Sequence, residues 1–136
     1  MNMKAIAIIT ARGGSKRIPR KNIKLFLGKP IIEYSIEAAL ASGIFDEVMV
    51  STDDEEIAEI AVKAGAKVPF MRSEATANDY ATTTDVLLEV LERYKEQGKE
   101  FEYMACLYPT NPFITPENLQ KAIKLISEND YAEVLP

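Results

Sequence analysis

The sequence contains no histidine and a single cysteine, Cys106. The first absence excludes Ser-His and Cys-His nucleophile pairs, and zinc sites built on histidine, within this chain. The second excludes an intramolecular disulfide, and the apolar run "YMACLY" around Cys106 predicts a buried structural thiol. Long hydrophobic runs are also missing. Residues 5–9 are apolar but too few for a membrane span, and they run straight into Arg12 without the longer apolar region and cleavage site of a signal peptide. A cytoplasmic protein with no membrane partner is expected. Chemistry that relies on arginine, lysine, carboxylates and a borrowed metal stays open.

Positive charge is scarce, with 16 Lys and Arg against 21 Asp and Glu and a net charge of −5. Six of those 16 bases fall within residues 12–24, leaving ten for the rest of the chain. A nucleic-acid binder spreads its basic residues over a broad face or along a helix, often interleaved with aromatics, and nothing after Lys24 has that pattern. No nucleic-acid partner is expected. With 136 residues, 47% of them hydrophobic, the chain can bury one core, so residues 1–136 read as a single domain or part of one.

Strand and helix patterns alternate along the chain. "AIAIIT" is an unbroken apolar run suited to a central strand buried on both faces. A helix is predicted from residue 30 to about 42, with Pro30 in its first turn, Ile31, Ile32, Ile36, Ala39 and Leu40 on one face, and Gly43 as its stop. "EVMVST" is a second buried strand. Asp53 or Asp54 then caps a helix carrying Ile57, Ile60, Ala61 and Ala64, and Gly65 ends it. "AKVPFMR" reads as a short edge or irregular segment because of Pro69. Val86, Leu87, Val90, Leu91 and Tyr94 mark the clearest amphipathic helix, capped by Thr82, Thr83 or Thr84 and closed near Gly98. "YMACLY" is a further buried strand. Thr115 and Pro116 cap and open a helix that buries Leu119, Ala122, Ile123 and Ile126. The ending "YAEVLP" starts one more strand, which predicts a domain incomplete at its C-terminus. The fold class expected is α/β, with a mainly parallel sheet, helices on both faces and ligands at the carboxyl ends of the strands.

The segment "ARGGSKRIPRKN", residues 11–22, follows the first strand and holds five cations, two adjacent glycines and no acid. Glycine lets backbone N–H groups approach an anion closely, and several cations together neutralise phosphate oxygens. A di- or triphosphate is the natural guest, although a solvated charge run would have the same composition. The spacing is neither that of a P-loop nor that of the G-x-G-x-x-G of dinucleotide folds. Arg17 and Arg20 fit solvent as well as they fit a ligand.

The stretch "AIITARGGSKRIPRKNIKLFLGKPIIEYSI" resembles the opening of the cytidylyltransferases that activate nine-carbon acidic sugars, the CMP-sialic acid synthetase family, with its A-R-G-G-S-K-x-I-x-x-K-N loop. "FDEVMVSTDDEEIA", "RSEATANDYATTTDVL" and "YPTNPF" follow in that family's order and spacing. The similarity is greatest to the branch acting on pseudaminic acid. Sialate-activating members usually carry glutamine where this chain has Tyr108.

The resemblance implies a nucleotide-diphospho-sugar transferase (Rossmann-like) fold. It also implies a reaction in which the anomeric hydroxyl of a nonulosonic acid attacks the α-phosphate of CTP and releases pyrophosphate. Ala11, Arg12, Gly13, Ser15, Lys16 and Asn22 would bind the nucleotide, with Arg12 and Lys21 carrying the charge that develops on the leaving group. Arg72, Ala81 and Thr83 would read the cytosine edge, while the helix-capping role of that threonine-rich loop holds alongside. Tyr108, Thr110 and Asn111 would touch the sugar, beside the plain role of two prolines in a rigid turn. Mg²⁺ is implied, with aspartate ligands later in the chain than position 136, so no metal ligand is expected within it; Asp53 and Asp54 read as helix caps. A homodimer is implied as well. Sialic, legionaminic or eight-carbon deoxy sugar acids are alternative substrates, and a non-catalytic nucleotide-binding fragment is the alternative outside enzymes.

Overall fold

The computed structural model describes residues 2–13, 21–77 and 80–128. Strand β1 (Asn2–Thr10) is the centre of a parallel sheet, flanked by β4 (Glu47–Ser51) on one side and β5 (Glu100–Leu107) on the other. In this register Ile6 lies opposite Glu47 and Met104, and Ile9 lies opposite Val50 and Leu107. Because side chains alternate along a strand, β1 feeds two cores. Ala7 and Ile9 pack with Ile32, Ile36, Ile57, Ala61 and Leu119 on one face, whereas Ile6, Ile8 and Met49 meet Phe70, Val90 and Tyr94 on the other.

Helices therefore cover both faces, as the alternating pattern predicts. The helices α1 (Ile32–Ser42), α2 (Glu55–Lys63) and α5 (Pro116–Glu128) share the first core, and α4 (Thr83–Glu96) covers the second. Each fully buried isoleucine of β1 contributes about 1.5–3 kcal/mol relative to exposure, which is why an unbroken apolar run suits this position. Glu47 is the exception in its strand, a buried carboxylate that accepts from Lys67 Nζ at 3.1 Å.

The predicted caps are where the sequence places them. Asp54 Oδ1 accepts the N–H groups of Glu56 (2.9 Å) and Ile57 (3.1 Å). Thr82 and Asp85 form a reciprocal capping box at the start of α4, and Thr115 Oγ1 accepts the Asn118 N–H at 3.1 Å. Gly43 (φ 69°) and Gly65 (φ 107°) end α1 and α2 in left-handed conformations that a side chain would strain.

Three expectations are corrected. Pro30 does not open α1; it belongs to a small antiparallel ladder of β2 (Leu25–Phe26) and β3 (Lys29–Pro30), turned at Leu27 (φ 52°) and Gly28 (φ 83°). The Ile31 N–H donates to the Lys24 carbonyl at 2.9 Å, and the helix begins at Ile32, two residues later than expected. The buried stripe of α1 runs through Ile32, Ser35, Ile36 and Ala39, with Ile31 half-buried and Leu40 43% exposed beside Gly65. Strand β5 is not buried along its length. It alternates between exposed and half-buried residues, only Leu107 is buried, and Cys106 is half-buried. Desolvation still pushes the Cys106 thiol above its ordinary range, away from nucleophilic thiolate. The segment "YAEVLP", like Arg17 and Arg20, lies outside the described residues.

Candidate active site

The carboxyl ends of the strands form one side of a polar cleft of about 250 Å³. After β1, the Ala11 N–H donates to the Ser51 carbonyl at 2.9 Å, which holds the chain against the end of β4. The Gly13 N–H then donates to Asp53 Oδ1, also at 2.9 Å. A Cβ added at Gly13 would stand 2.7 Å from both Cβ and Oδ2 of Asp54, so only glycine lets the loop pass this close to the start of α2. The loop returns at a 3₁₀ turn (Lys21–Ile23). There Asn22 is buried and donates from Nδ2 to the Arg12 carbonyl at 2.7 Å, tying the two arms together. Its Oδ1 is buried with no hydrogen-bond partner among the described residues, an acceptor on the cleft wall for an incoming donor.

Arg72 stands across the cleft. Its N–H donates to the Thr52 carbonyl (2.8 Å), its Nη2 to the Ser51 carbonyl (2.9 Å) and its Nε to Ser51 Oγ (3.3 Å). Burial lowers the Arg72 pKa; Asp53 opposes the shift, and the positive charge of Arg12 adds to it. Two guanidinium groups near enough to repel each other, one of them nine-tenths buried, make a site whose electrostatic cost falls when an anion enters. Ala81, Thr82, Thr83 and Val86 at the start of α4 form the adjoining wall, and Tyr108, Pro109 and Thr110 after β5 close the far side. Ser35 Oγ donates to the Tyr108 carbonyl at 3.1 Å, fixing that turn to α1.

The cleft thus gathers Arg12, Lys21, Asn22, Arg72, Ala81, Thr83, Tyr108 and Thr110 from four separate stretches of sequence. Ala11 is fully buried and is not among its lining residues, and Gly13 abuts Asp53 and Asp54. Asn111 also stands off the lining, its Oδ1 accepting the Phe113 N–H within the turn at 3.1 Å. Ser15 and Lys16 lie outside the described residues. Sequence reasoning missed Thr10, Thr76, Thr82, Val86 and Pro109 as lining groups. Val86 reads from its helical period as a core residue, and Thr76 sits in a short helix, α3 (Glu74–Ala77), without a hydrophobic period to announce it.

Among the described residues no carboxylate lines the cleft, and no group of three or more His, Cys, Asp or Glu side chains comes together to hold a metal. Guanidinium, ammonium and hydroxyl groups suit an anion, and this donor set does not fit a resident divalent cation.

Similarity to known proteins agrees with this chemistry. The cytidylyltransferase family profile matches residues 6–135. The pseudaminic acid cytidylyltransferase of Campylobacter jejuni subsp. jejuni serotype O:2 is 52% identical over 127 residues, covering 93% of this chain and 55% of that protein. The CMP-N,N'-diacetyllegionaminic acid synthase of Legionella pneumophila is 41% identical over 123 residues, covering 90% of this chain and 53% of that protein. Among solved structures, CMP:2-keto-3-deoxy-manno-octonic acid synthetase complexed with CTP superposes with a TM-score of 0.76 at 30% identity, covering 94% of this chain and 49% of that one. The chain therefore spans about half the length of these relatives. By the match over nearly its whole length, the chain belongs to the cytidylyltransferase family.

Proposed function

We propose that residues 1–136 supply the nucleotide-binding part of an enzyme that transfers CMP from CTP to the anomeric hydroxyl of pseudaminic acid. The observation that carries this reading is the convergence of Arg12, Lys21 and Arg72 on one cleft, with no carboxylate among its described lining residues, in a chain of net charge −5. A sugar oxygen forms a bond to the α-phosphorus, the bond from that phosphorus to the bridging oxygen breaks, and the electron pair leaves with pyrophosphate. The hydroxyl proton passes to solvent or to a base. Such chemistry depends mainly on positioning and on neutralising the charge that builds on the leaving group.

Arg12 and Lys21 take that charge in the proposal, with Ala11, Gly13, Ser15, Lys16 and Asn22 completing the loop around the nucleotide. Arg72, Ala81 and Thr83 face the base. Tyr108 and Thr110 face the sugar acid, with Asn111 shaping their turn. Mg²⁺ enters as the counter-ion of CTP, since the described residues do not fit a resident site. CTP as co-substrate also favours a cytoplasmic setting; among the described residues no helix is long and apolar enough to cross a membrane. A homodimer is carried over from the family resemblance alone.

Pyrophosphate release from CTP and Mg²⁺ by the complete enzyme of which these residues form part, measured with pseudaminate, legionaminate, N-acetylneuraminate and an eight-carbon deoxy sugar acid, tests the proposal. The highest kcat/KM is expected with pseudaminate. A preference for another acid would reassign the substrate, and release with none of them would reject the transferase reading.

A further inference from the structure

Glu89 lies on α4, one turn beyond Val86 of the cleft wall. Its carboxylate gathers three donors from one short segment. Oε1 accepts the Ser73 N–H at 3.1 Å and the Thr76 hydroxyl at 3.0 Å, and Oε2 accepts the Ser73 hydroxyl. Ser73 directly follows Arg72, and Thr76 is itself a buried lining residue of the cleft. The segment is thus held at two points. Arg72 is bonded to the end of β4 through Ser51 and Thr52, and the next turn is bonded to α4 through Glu89.

An ionised carboxylate is an acceptor at both oxygens and can satisfy all three donors, whereas a carboxamide turns its NH₂ toward at least one of them. Burial raises the Glu89 pKa, but the hydrogen bonds from Ser73 and Thr76 and the charge of Arg93 outweigh it, so the group is held below its ordinary value and stays ionised at neutral pH.

We propose that Glu89 is a positioning residue for the nucleotide, clasping residues 73–76 to α4 so that Arg72 and Thr76 keep a fixed separation from Ala81 and Thr83. The inference rests on the nucleotide reading of the cleft. Ground-state binding is its readout, because a base held between these two walls is held equally before and during reaction at the distant α-phosphate.

The test compares wild type, Glu89→Gln and Glu89→Ala, with Glu92→Gln on the exposed side of the same helix as control. Three measurements are made on each: KM for CTP and kcat in pyrophosphate release, CTP affinity by calorimetry, and amide exchange at Ser73 without nucleotide. Loss of charge-assisted hydrogen bonds at Glu89 is expected to raise KM and Kd for CTP about tenfold, with kcat within about twofold of wild type. Ser73 exchange is expected to quicken in both Glu89 variants and to stay unchanged in Glu92→Gln. A purely structural role would lower the folded fraction, and with it the apparent kcat, while leaving KM unmoved. Wild-type KM and Kd in both Glu89 variants would overturn the inference alone. Failure of the wild type to bind CTP would overturn the nucleotide reading itself, and the two failures are told apart by the wild-type titration.

Discussion

Arg12→Ala is expected to reduce kcat for pyrophosphate release by about 10²–10³-fold, the loss typical of removing one preorganised group that meets charge developing in a transition state. Arg12 lines the cleft at the end of β1, its carbonyl is fixed by Asn22 Nδ2, and its charge is felt by Arg72 across the gap. It is therefore placed before the nucleotide arrives. Arg12→Lys is expected to recover only part of the rate, since an ammonium is a point charge and lacks the planar fork that binds two phosphate oxygens at once. Steady-state kinetics with saturating CTP and sugar acid check both variants. A loss below about threefold in Arg12→Ala would remove Arg12 from any role in the charge-bearing step.

Gly13→Ala is expected to weaken CTP binding by about 10–100-fold, with a stability cost of about 1–3 kcal/mol from overpacking. The added Cβ would meet Asp54 at 2.7 Å, and Asp54 is not free to yield because it caps α2 through two backbone N–H groups. The loop must move instead, and it carries Arg12 with it. Asp53→Ala makes an informative comparison. It releases the Gly13 N–H without forcing the backbone aside, so a smaller loss of affinity, about threefold, is expected. Calorimetric titration with CTP separates the two; equal affinity in Gly13→Ala and wild type would show that loop placement does not govern binding.

Much of this arrangement is legible from local signals. An unbroken apolar run becomes the central strand because both faces of β1 are covered, and the threonine and aspartate caps sit where the backbone leaves unpaired N–H groups. The convergence of Arg12, Lys21, Arg72 and Tyr108 follows from topology, because in a parallel sheet the segments after each strand all arrive at the same edge.

What escapes the sequence is pairwise and polar. Ser35 looks like a surface residue in α1, yet it is buried because its hydroxyl serves the Tyr108 carbonyl 73 positions away. Pro30 looks like a helix opener, but it is taken up by the small β2–β3 ladder, where it lies opposite Leu25. Glu89 is one acid among several on α4, and no spacing rule distinguishes it from Glu92; only the folded chain brings Ser73 and Thr76 to it.

The most direct test of the central claim is an experimental structure of the protein with CTP bound. Triphosphate oxygens are expected within hydrogen-bonding distance of Arg12 and Lys21, with Asn22 Oδ1 accepting a hydrogen bond from the nucleotide and the cytosine edge facing Arg72, Ala81 and Thr83. A nucleotide bound elsewhere, or bound in reverse with its phosphates against α4 and its base against Arg12, would contradict it.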